Sequence, residues 1–289
     1  MADPTVVGVD IGGTHITAAL VDSKSGAVRT ETLTRAQLQP NGEKAEIISS
    51  WARTIKAAAV AAAPEALRIG IAMPGPFDYE KGVSLMKFQE KYDALYGLDV
   101  KALLAAELQI QPEQIRFMNG AACFLRGETI GGAAKGAACA IGLTLGTGLG
   151  SALYMDSLAA DAALWCSPFK DGIAEDYMSA RWFTKRYLDL TGLEVPHVQA
   201  LAELLPEYPL VQDIFEEFGQ LLGEFLAIQL QVVRAEVVVV GGNVSQALTL
   251  FLPQVQQTLF EHAFSVPVRQ AQLGEAAALL GAATLWEAP

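Results

Sequence analysis

Residues 5–22 read TVVGVDIGGTHITAALVD, and no other stretch of the sequence is as informative about the fold. An apolar run leads into Gly12-Gly13-Thr14, after which β-branched and apolar residues resume, a pattern that predicts a β-hairpin. Two glycines let the backbone approach an anion and turn its N–H groups inward, and the Thr14 hydroxyl adds a donor. The tip is therefore a candidate phosphate cradle, with a plain hairpin whose glycines serve only the turn as the alternative.

Asp10 is the carboxylate that immediately precedes this tip. A carboxylate facing phosphates would repel them unless a divalent cation lay between the two. We therefore expect Asp10 to hold Mg²⁺, through water.

Composition bounds the class of protein. The chain has 289 residues, 52% of them hydrophobic and 18% charged, which favours a globular protein of two lobes. Its formal net charge is −12, so neither nucleic acid nor a membrane surface is expected as a partner. No signal-peptide pattern or long apolar span is found, and we expect a cytoplasmic protein. Three widely spaced cysteines indicate reduced thiols.

A second hairpin of the same kind is predicted farther along the chain. Residues 138–144 form a strand, Gly146-Thr147-Gly148-Leu149-Gly150 forms the tip, and residues 151–155 return. Two tips of the same chemistry suggest duplicated lobes that bind one polyphosphate. The candidate nucleotide-binding residues here are Thr144, Gly146, Thr147 and Gly148.

Other strand ends carry candidate ligand loops. A strand over residues 68–73 stops at Pro74-Gly75-Pro76, and one over 114–118 precedes a helix that begins at Asn119. The strand 236–240 enters Gly241-Gly242-Asn243, which we assign to adenine and ribose; a tight strand-to-helix turn is the alternative. The loop from Gly82 to Tyr96 is either a substrate-pocket lining or a surface loop.

The remaining pattern predicts one further strand and seven helices. The strand covers residues 28–33, and the helices cover residues 43–63, 100–108, 175–190, 198–205, 212–233, a segment from 245, and 274–286.

Together these motifs resemble the ROK family of bacterial sugar kinases, repressors and open reading frames. The resemblance runs from about residue 5 to residue 286 and is carried by Asp10-Ile11-Gly12-Gly13-Thr14, Pro74-Gly75-Pro76, Phe117-Met118-Asn119, Gly146-Thr147-Gly148-Leu149-Gly150, Gly241-Gly242-Asn243 and Leu273-Gly274-Glu275-Ala276.

The resemblance implies an α/β, two-lobed actin-like (ribonuclease H-like) ATPase fold with a central interlobe cleft. We expect an N-terminal lobe over residues 1–118 and a C-terminal lobe over 119–289, with the last helix bracing the two. It further implies ATP as cofactor, phosphoryl transfer to a hexose hydroxyl, and a homodimer. The sugar would be bound by Pro74, Gly75, Asn119, Asp161 and Glu175.

The sequence departs from the family pattern at the residue expected to act as general base. Similar kinases have Asn-Asp-Ala where this chain has Asn119-Gly120-Ala121. The missing aspartate would accept the proton of the attacking hydroxyl, a contribution of roughly 10²- to 10⁴-fold. Gly120 cannot supply it.

The family's zinc motif, Cys-x-Cys-Gly-x-x-Gly-Cys, is absent, so no zinc is expected. In this region Glu175 matches the family glutamate that binds a sugar hydroxyl, although a first-turn helix carboxylate is the alternative. Asp161 is a looser counterpart of the glutamate in Gly-Glu-x-Gly-His, whose histidine falls on Leu164.

Two functional hypotheses follow from these motifs. The first is an ATP-dependent kinase of glucose or an N-acetylated or amino hexose. The second is a non-catalytic sugar- or nucleotide-binding protein, a pseudokinase or regulator. A repressor is disfavoured because its DNA-binding helices should precede the first hairpin, and an actin or chaperone ATPase because Pro74-Gly75-Pro76 and Glu175 are sugar-pocket features of the family.

Overall fold

A computed structural model describes residues 5–22, 26–60, 66–88 and 91–287. The chain divides into two compact units, the first formed by residues 1–132 together with 273–289 and the second by residues 133–272. No helix among the described residues is long and apolar enough to cross a membrane.

The first unit is built on a six-stranded sheet. Its strands, with those of a separate two-stranded ribbon (β6 and β7), are β1 (Thr5–Ile11), β2 (His15–Asp22), β3 (Ala27–Val28), β4 (Thr34–Gln37), β5 (Leu67–Met73), β6 (Phe77–Asp78), β7 (Val83–Ser84) and β8 (Ile115–Asn119). The order is β3-β2-β1-β5-β8, with β4 also paired to β2. The first predicted hairpin is confirmed, since β1 and β2 pair antiparallel.

The strand predicted over residues 28–33 is wrong in its extent. β3 ends at Val28, a 3₁₀ turn covers Thr30–Thr32, and β4 follows. The Thr32 hydroxyl accepts a hydrogen bond from the backbone N–H of Leu20 at 2.9 Å, so a side chain replaces the ladder bond at this point.

Three helices belong to this part of the first unit: α1 (Lys44–Ala58), α2 (Val100–Leu108) and α3 (Gly120–Gly131). The apolar face of α1 recurs at helical spacing and buries Trp51 and Ile55 completely, which is the amphipathic pattern expected of a helix on a sheet. α1 ends earlier than predicted, and residues 61–63 of that prediction lie outside the described residues.

The second unit has a five-stranded sheet of order β11-β10-β9-β14-β15. Its strands, with those of a small ribbon (β12 and β13), are β9 (Cys139–Leu145), β10 (Leu149–Met155), β11 (Leu158–Asp161), β12 (Pro168–Phe169), β13 (Gly172–Ile173), β14 (Val237–Gly241) and β15 (Val268–Gln270). β9 and β10 pair antiparallel, which confirms the second predicted hairpin. β14 is parallel to both β9 and β15.

The helices of the second unit are α4 (Ala174–Tyr177), α5 (Ala180–Thr191), α6 (Val198–Glu203), α7 (Leu210–Val232) and α8 (Leu248–Glu261). The single helix predicted over residues 175–190 is wrong, because the chain breaks at Ser179, whose backbone is extended (φ −135°, ψ 163°). The N–H of Ala180 donates to the carbonyl of Gly146 instead of continuing the helix. The helix predicted from Ser245 begins as a 3₁₀ turn over Asn243–Ala247.

The chain closes in the first unit with helix α9 (Ala276–Ala283), followed by a 3₁₀ turn over Thr284–Trp286. This helix packs backbone against backbone. A Cβ atom at Gly8 would lie 2.2 Å from the carbonyl oxygen of Leu279, and one at Gly70 would lie 2.0 Å from that of Ala282. A side chain larger than glycine at position 8 of β1 or position 70 of β5 would therefore push α9 off the sheet.

Helix α3 makes the same kind of contact, since a Cβ atom at Gly127 would lie 2.0 Å from the carbonyl oxygen of Ala277. Because α3 packs on α9, the first unit extends to Gly132, one helix beyond the boundary expected after Met118. The expected role of the last helix as a brace between lobes stays a prediction.

Candidate active site

Three strands of the first unit bring candidate residues to one edge of its sheet. β1, β5 and β8 are mutually parallel, with Asp10 beside Ala72 and Met73 beside Asn119. Asp10, the Pro74-Gly75 turn and Asn119 therefore lie at the carboxyl ends of neighbouring strands, where open α/β sheets bind ligands.

The tip of the first hairpin is held by a tyrosine. Gly12 donates its N–H to the carbonyl of His15 at 2.9 Å, and its own carbonyl accepts the Tyr92 hydroxyl at 2.5 Å. Tyr92 is fully buried, and its ring meets Trp51 edge-on at 5.2 Å. Burial raises the pKa of Tyr92, so the phenol stays a donor. Gly13 and Thr14 remain exposed at the tip.

Tyr92 belongs to the loop over residues 82–96, which the sequence analysis left open between a pocket lining and a surface loop. Residues 89–90 of that loop lie outside the described residues. Its described part contributes a buried anchor for the first hairpin, and the sequence carried no signal of that role beyond an aromatic residue in a polar stretch.

Asp10 lies in a row of residues that crosses three strands. Asp10 is opposite Thr17 on β2, and Thr17 is opposite Arg35 on β4, so their side chains share a face of the sheet. Arg35 forms an ion pair with Glu275, just before α9. Burial and the Glu275 charge raise the pKa of Asp10 to about 6, while Arg35 acts in the opposite direction.

Sequence reasoning missed Arg35 and the electrostatic effect of Glu275. Glu275 was quoted only as part of the closing motif, and 240 positions separate it from Arg35. In the group formed by Asp10, Arg35 and Glu275, Asp10 offers hard carboxylate oxygens, and its ionised form is destabilised by burial and by the Glu275 carboxylate. Such a donor set fits Mg²⁺, which prefers carboxylate and water oxygens.

Asn119 caps helix α3. Its Oδ1 accepts the N–H groups of Ala121 at 2.8 Å and Ala122 at 3.2 Å, which satisfies two donors of the first helical turn. Its Nδ2 donates to the hydroxyl of Tyr79 at 3.2 Å. Tyr79, which the sequence analysis did not single out, donates in turn to the carbonyl of Met73 at 3.3 Å and so connects two of the strand ends.

Gly120 is the first residue of α3 and has no side chain to offer. A Cβ atom built on it meets nothing within 4 Å, and its φ does not fall in the left-handed region. The position therefore has room for an aspartate without backbone strain.

The tip of the second hairpin is closed by a hydrogen bond from the N–H of Gly146 to the carbonyl of Gly148, at 3.0 Å. Thr147 is exposed at this tip. Thr144, on β9, lies beside Gly150 on β10 and beside Gly241 on β14. The structure thus brings two of the predicted nucleotide segments together within the second unit.

Gly241-Gly242-Asn243 ends strand β14 in a sharp turn. Gly242 has a φ of +81°, and a Cβ atom there would lie 2.4 Å from the carbonyl oxygen of Leu145. The Ser245 hydroxyl donates to the Gly242 carbonyl at 2.7 Å. This geometry is that of a tight strand-to-helix turn and fits either interpretation, so the assignment to adenine and ribose stays a prediction.

Glu175 and Asp161 both lie in the second unit, and they have different hydrogen-bond partners. Glu175 accepts the N–H of Leu149 at 3.0 Å and forms an ion pair with Arg181 at 2.7 Å. Asp161 ends β11 and accepts the N–H of Ala163 at 2.8 Å. Their predicted contacts with sugar remain predictions.

The region that replaces the zinc motif contains Cys166, whose thiol donates to the carbonyl of Ala163 at 3.3 Å. Within residues 5–22, 26–60, 66–88 and 91–287, no three His, Cys, Asp or Glu side chains lie close enough to hold a metal ion together.

The chain has the two-lobed actin-like α/β fold. A ROK family glucokinase from Streptomyces griseus, solved in complex with glucose and AMPPNP, superposes with a TM-score of 0.77 at 23% identity, over 97% of this chain and 98% of that one. The family model described as "ROK family" matches residues 6–161 and 158–288. The chain therefore belongs to the ROK family, which confirms the resemblance.

Curated relatives of the chain are sugar kinases. N-acetylgalactosamine kinase AgaK of Shewanella sp. (strain ANA-3) is 24% identical over 305 residues, covering 96% of this chain and 95% of the relative. Glucokinase of Thermotoga maritima is 33% identical over 145 residues, covering 50% of this chain and 43% of the relative.

Proposed function

We propose that this protein phosphorylates a hexose with ATP, the sugar being glucose or an N-acetylated or amino hexose. The observation that carries the proposal is the delivery of Asp10, the Pro74-Gly75 turn and Asn119 to one edge of the first sheet by three parallel strands. The proposal is supported by the relatives, among them an N-acetylgalactosamine kinase and a glucokinase. A homodimer is proposed on the family resemblance alone, and a cytoplasmic location on the sequence pattern.

Nucleotide phosphates are assigned to the two hairpin tips. In the first unit the tip residues are Gly12, Gly13 and Thr14, and the Tyr92 hydroxyl holds the tip by donating to the Gly12 carbonyl. In the second unit we propose Thr144, Gly146, Thr147 and Gly148 for the phosphates, and Gly241, Gly242 and Asn243 for adenine and ribose. The exposed residues Gly13, Thr14 and Thr147 can offer backbone N–H groups to an anion, while the N–H groups of Gly12 and Gly146 close their own turns.

Asp10 would hold Mg²⁺ through water. The cation, when bound, supplies positive charge to the transferring phosphoryl group. This chain supplies the Asp10 carboxylate, whose ionised form is disfavoured by burial and by the Glu275 charge, as its raised pKa indicates, so a bound cation would relieve an unfavourable charge.

Sugar hydroxyls are assigned to Asn119, Glu175, Asp161 and the Pro74-Gly75 turn. Asn119 Oδ1 caps α3, and Nδ2 donates to Tyr79. The Nδ2 group is therefore the one that we assign as a donor to a sugar oxygen. Tyr79 would then help to orient Asn119 toward the sugar.

In the reaction, the oxygen of the sugar hydroxyl forms a bond to the γ-phosphorus, the bond from that phosphorus to the bridging oxygen of ADP breaks, and the hydroxyl proton passes to water. Position 120 offers no carboxylate to accept that proton, so the rate should be roughly 10²- to 10⁴-fold below that of a variant with an aspartate there. Binding of both substrates does not depend on a side chain at this position.

The second candidate function is that of a non-catalytic sugar- or nucleotide-binding protein. Gly120 is the observation that favours it, since the open position removes the base without disturbing the cap at Asn119. This alternative keeps every binding residue and loses only turnover.

Calorimetry and a coupled ADP-release assay test the proposal together. Titration with ADP and Mg²⁺, and with glucose, N-acetylglucosamine, N-acetylgalactosamine and glucosamine, should show nucleotide binding and binding of at least one sugar. Slow release of ADP with that sugar supports a kinase, and binding without any release supports the non-catalytic alternative. Lack of nucleotide binding at millimolar ADP would refute the kinase, and lack of binding of any of the sugars as well would refute both candidates.

A further inference from the structure

The carboxylate of Glu175 is bound on both of its oxygens inside the second unit. Oε2 accepts the backbone N–H of Leu149 at 3.0 Å, and Oε1 accepts Nη2 of Arg181 at 2.7 Å. Leu149 is the residue that leaves the tip of the second hairpin. Glu175 therefore connects that tip to the segment formed by α4 and α5.

The same segment touches the tip at two more points. The N–H of Ala180, the first residue of α5, donates to the carbonyl of Gly146 at 2.8 Å. A Cβ atom at Gly148 would lie 2.5 Å from Oε2 of Glu175, so the carboxylate occupies the space that a side chain would take. The conformation of the tip thus depends on where Glu175 lies.

Arg181 is the group that binds the other carboxylate oxygen of Glu175, Oε1. A glutamate has three side-chain torsions, and a single hydrogen bond to Leu149 leaves it free to rotate about that contact. The planar guanidinium of Arg181 restrains the second oxygen with a charge-assisted bond. Removing Arg181 would leave the bond to Leu149 as a weaker, more mobile contact.

We infer that Arg181 is a positioning residue, which orients Glu175 so that its carboxylate holds the second hairpin tip in the conformation that binds nucleotide phosphates. This inference rests on the proposed function. It gives Glu175 a role toward the nucleotide in addition to the sugar contact implied by the family resemblance. A carboxylate has about four lone-pair positions, so the two bonds in place leave capacity for a sugar hydroxyl. Glu175 would then respond to both substrates.

The test compares Arg181→Gln with a matched control on the same helix. Arg186 forms a similar ion pair, Nε to Oε2 of Glu217 at 2.8 Å, and Arg186→Gln removes it without touching Glu175. The side chain of Arg181 is 63% exposed, so its loss should change the thermal midpoint by no more than about 2 °C. An effect on the tip is therefore separable from an effect on folding.

Two measurements are made on the full-length wild type and on each variant. The first is hydrogen exchange of the Leu149 amide by NMR without any ligand, and the second is the affinity for ADP with Mg²⁺ by calorimetry. In Arg181→Gln we expect exchange of the Leu149 amide to rise about tenfold and the Kd for ADP to rise about threefold to tenfold. Arg181→Lys should recover part of both, and Arg186→Gln should match the wild type.

Unchanged Leu149 exchange and unchanged ADP affinity in Arg181→Gln would overturn the inference, as would an equal loss in Arg186→Gln. A wild type that does not bind ADP would instead contradict the proposed function. In that case exchange of the Leu149 amide still decides whether Arg181 positions Glu175.

Discussion

Replacing Asp10 by asparagine should stabilise this protein at neutral and alkaline pH. Burial and the Glu275 charge raise the pKa of Asp10 from 3.8 to about 6. Raising a carboxyl pKa by that amount costs the ionised folded protein up to roughly 3 kcal/mol. An asparagine has nearly the same shape and carries no charge, so the variant should avoid this cost.

The direction of the pH dependence follows from proton binding. Between pH 3.8 and about 6 the folded protein keeps the Asp10 proton while the unfolded chain has lost it, so stability falls as pH rises through this window. Asp10→Asn should therefore resemble the wild type near pH 4 and exceed its free energy of unfolding above pH 6, by at most about 3 kcal/mol.

Urea unfolding at pH 4.5 and pH 8 measures this difference, with Glu31→Gln, an exposed carboxylate of the same unit, as the control. A stabilisation that is the same at both pH values, or a variant less stable than the wild type at pH 8, would refute the electrostatic account. Titration with ADP should also show that the variant has lost most of the Mg²⁺ dependence of nucleotide binding, because Asp10 is the proposed cation ligand.

Three further outcomes are expected. Gly70→Ala should lower the free energy of unfolding by about 1–3 kcal/mol in urea denaturation, because its Cβ would lie 2.0 Å from the Ala282 carbonyl oxygen. Gly97→Ala is the control, since its Cβ meets nothing within 4 Å and it should show only the strain of its positive φ. Asn119→Ala should lose about 1 kcal/mol through the cap of α3, and Asn119→Asp should retain most of it by the same measurement. Elemental analysis of the purified protein should find no stoichiometric zinc, and one zinc per chain would refute this expectation.

The hairpins could be predicted because their information is local. Each tip is a glycine- and threonine-containing turn between two largely apolar strands, and the strand pairing follows from the turn. The break at Ser179 could not be predicted in this way. It depends on a bond between Ala180 and Gly146, residues far apart in the chain, while the helical pattern of the segment continues across the break.

Long-range charge relations were missed for the same reason. Arg35 meets Glu275 only because β4 pairs with β2 and α9 returns to the first sheet. The glycines at positions 8 and 70 could be read as strand residues of low propensity, and only the fold shows that they face the backbone of α9. The partners of the candidate site residues could not be predicted, since Tyr79, Tyr92 and Arg181 carry no local signal, and the roles of the site residues themselves stay predictions.

We propose that this chain keeps the residues that bind nucleotide and sugar and lacks only the proton acceptor at position 120. Turnover and sugar affinity of the wild type, Gly120→Asp and the charge-free control Gly120→Asn test it directly. Because a side chain at this position meets open space, Gly120→Asp should raise kcat roughly 10²- to 10⁴-fold, leave the sugar Kd within a few-fold, and exceed Gly120→Asn in the same assay. A wild type that already turns over at about ten per second or faster, with no gain in Gly120→Asp, would contradict this account and place the proton acceptor elsewhere.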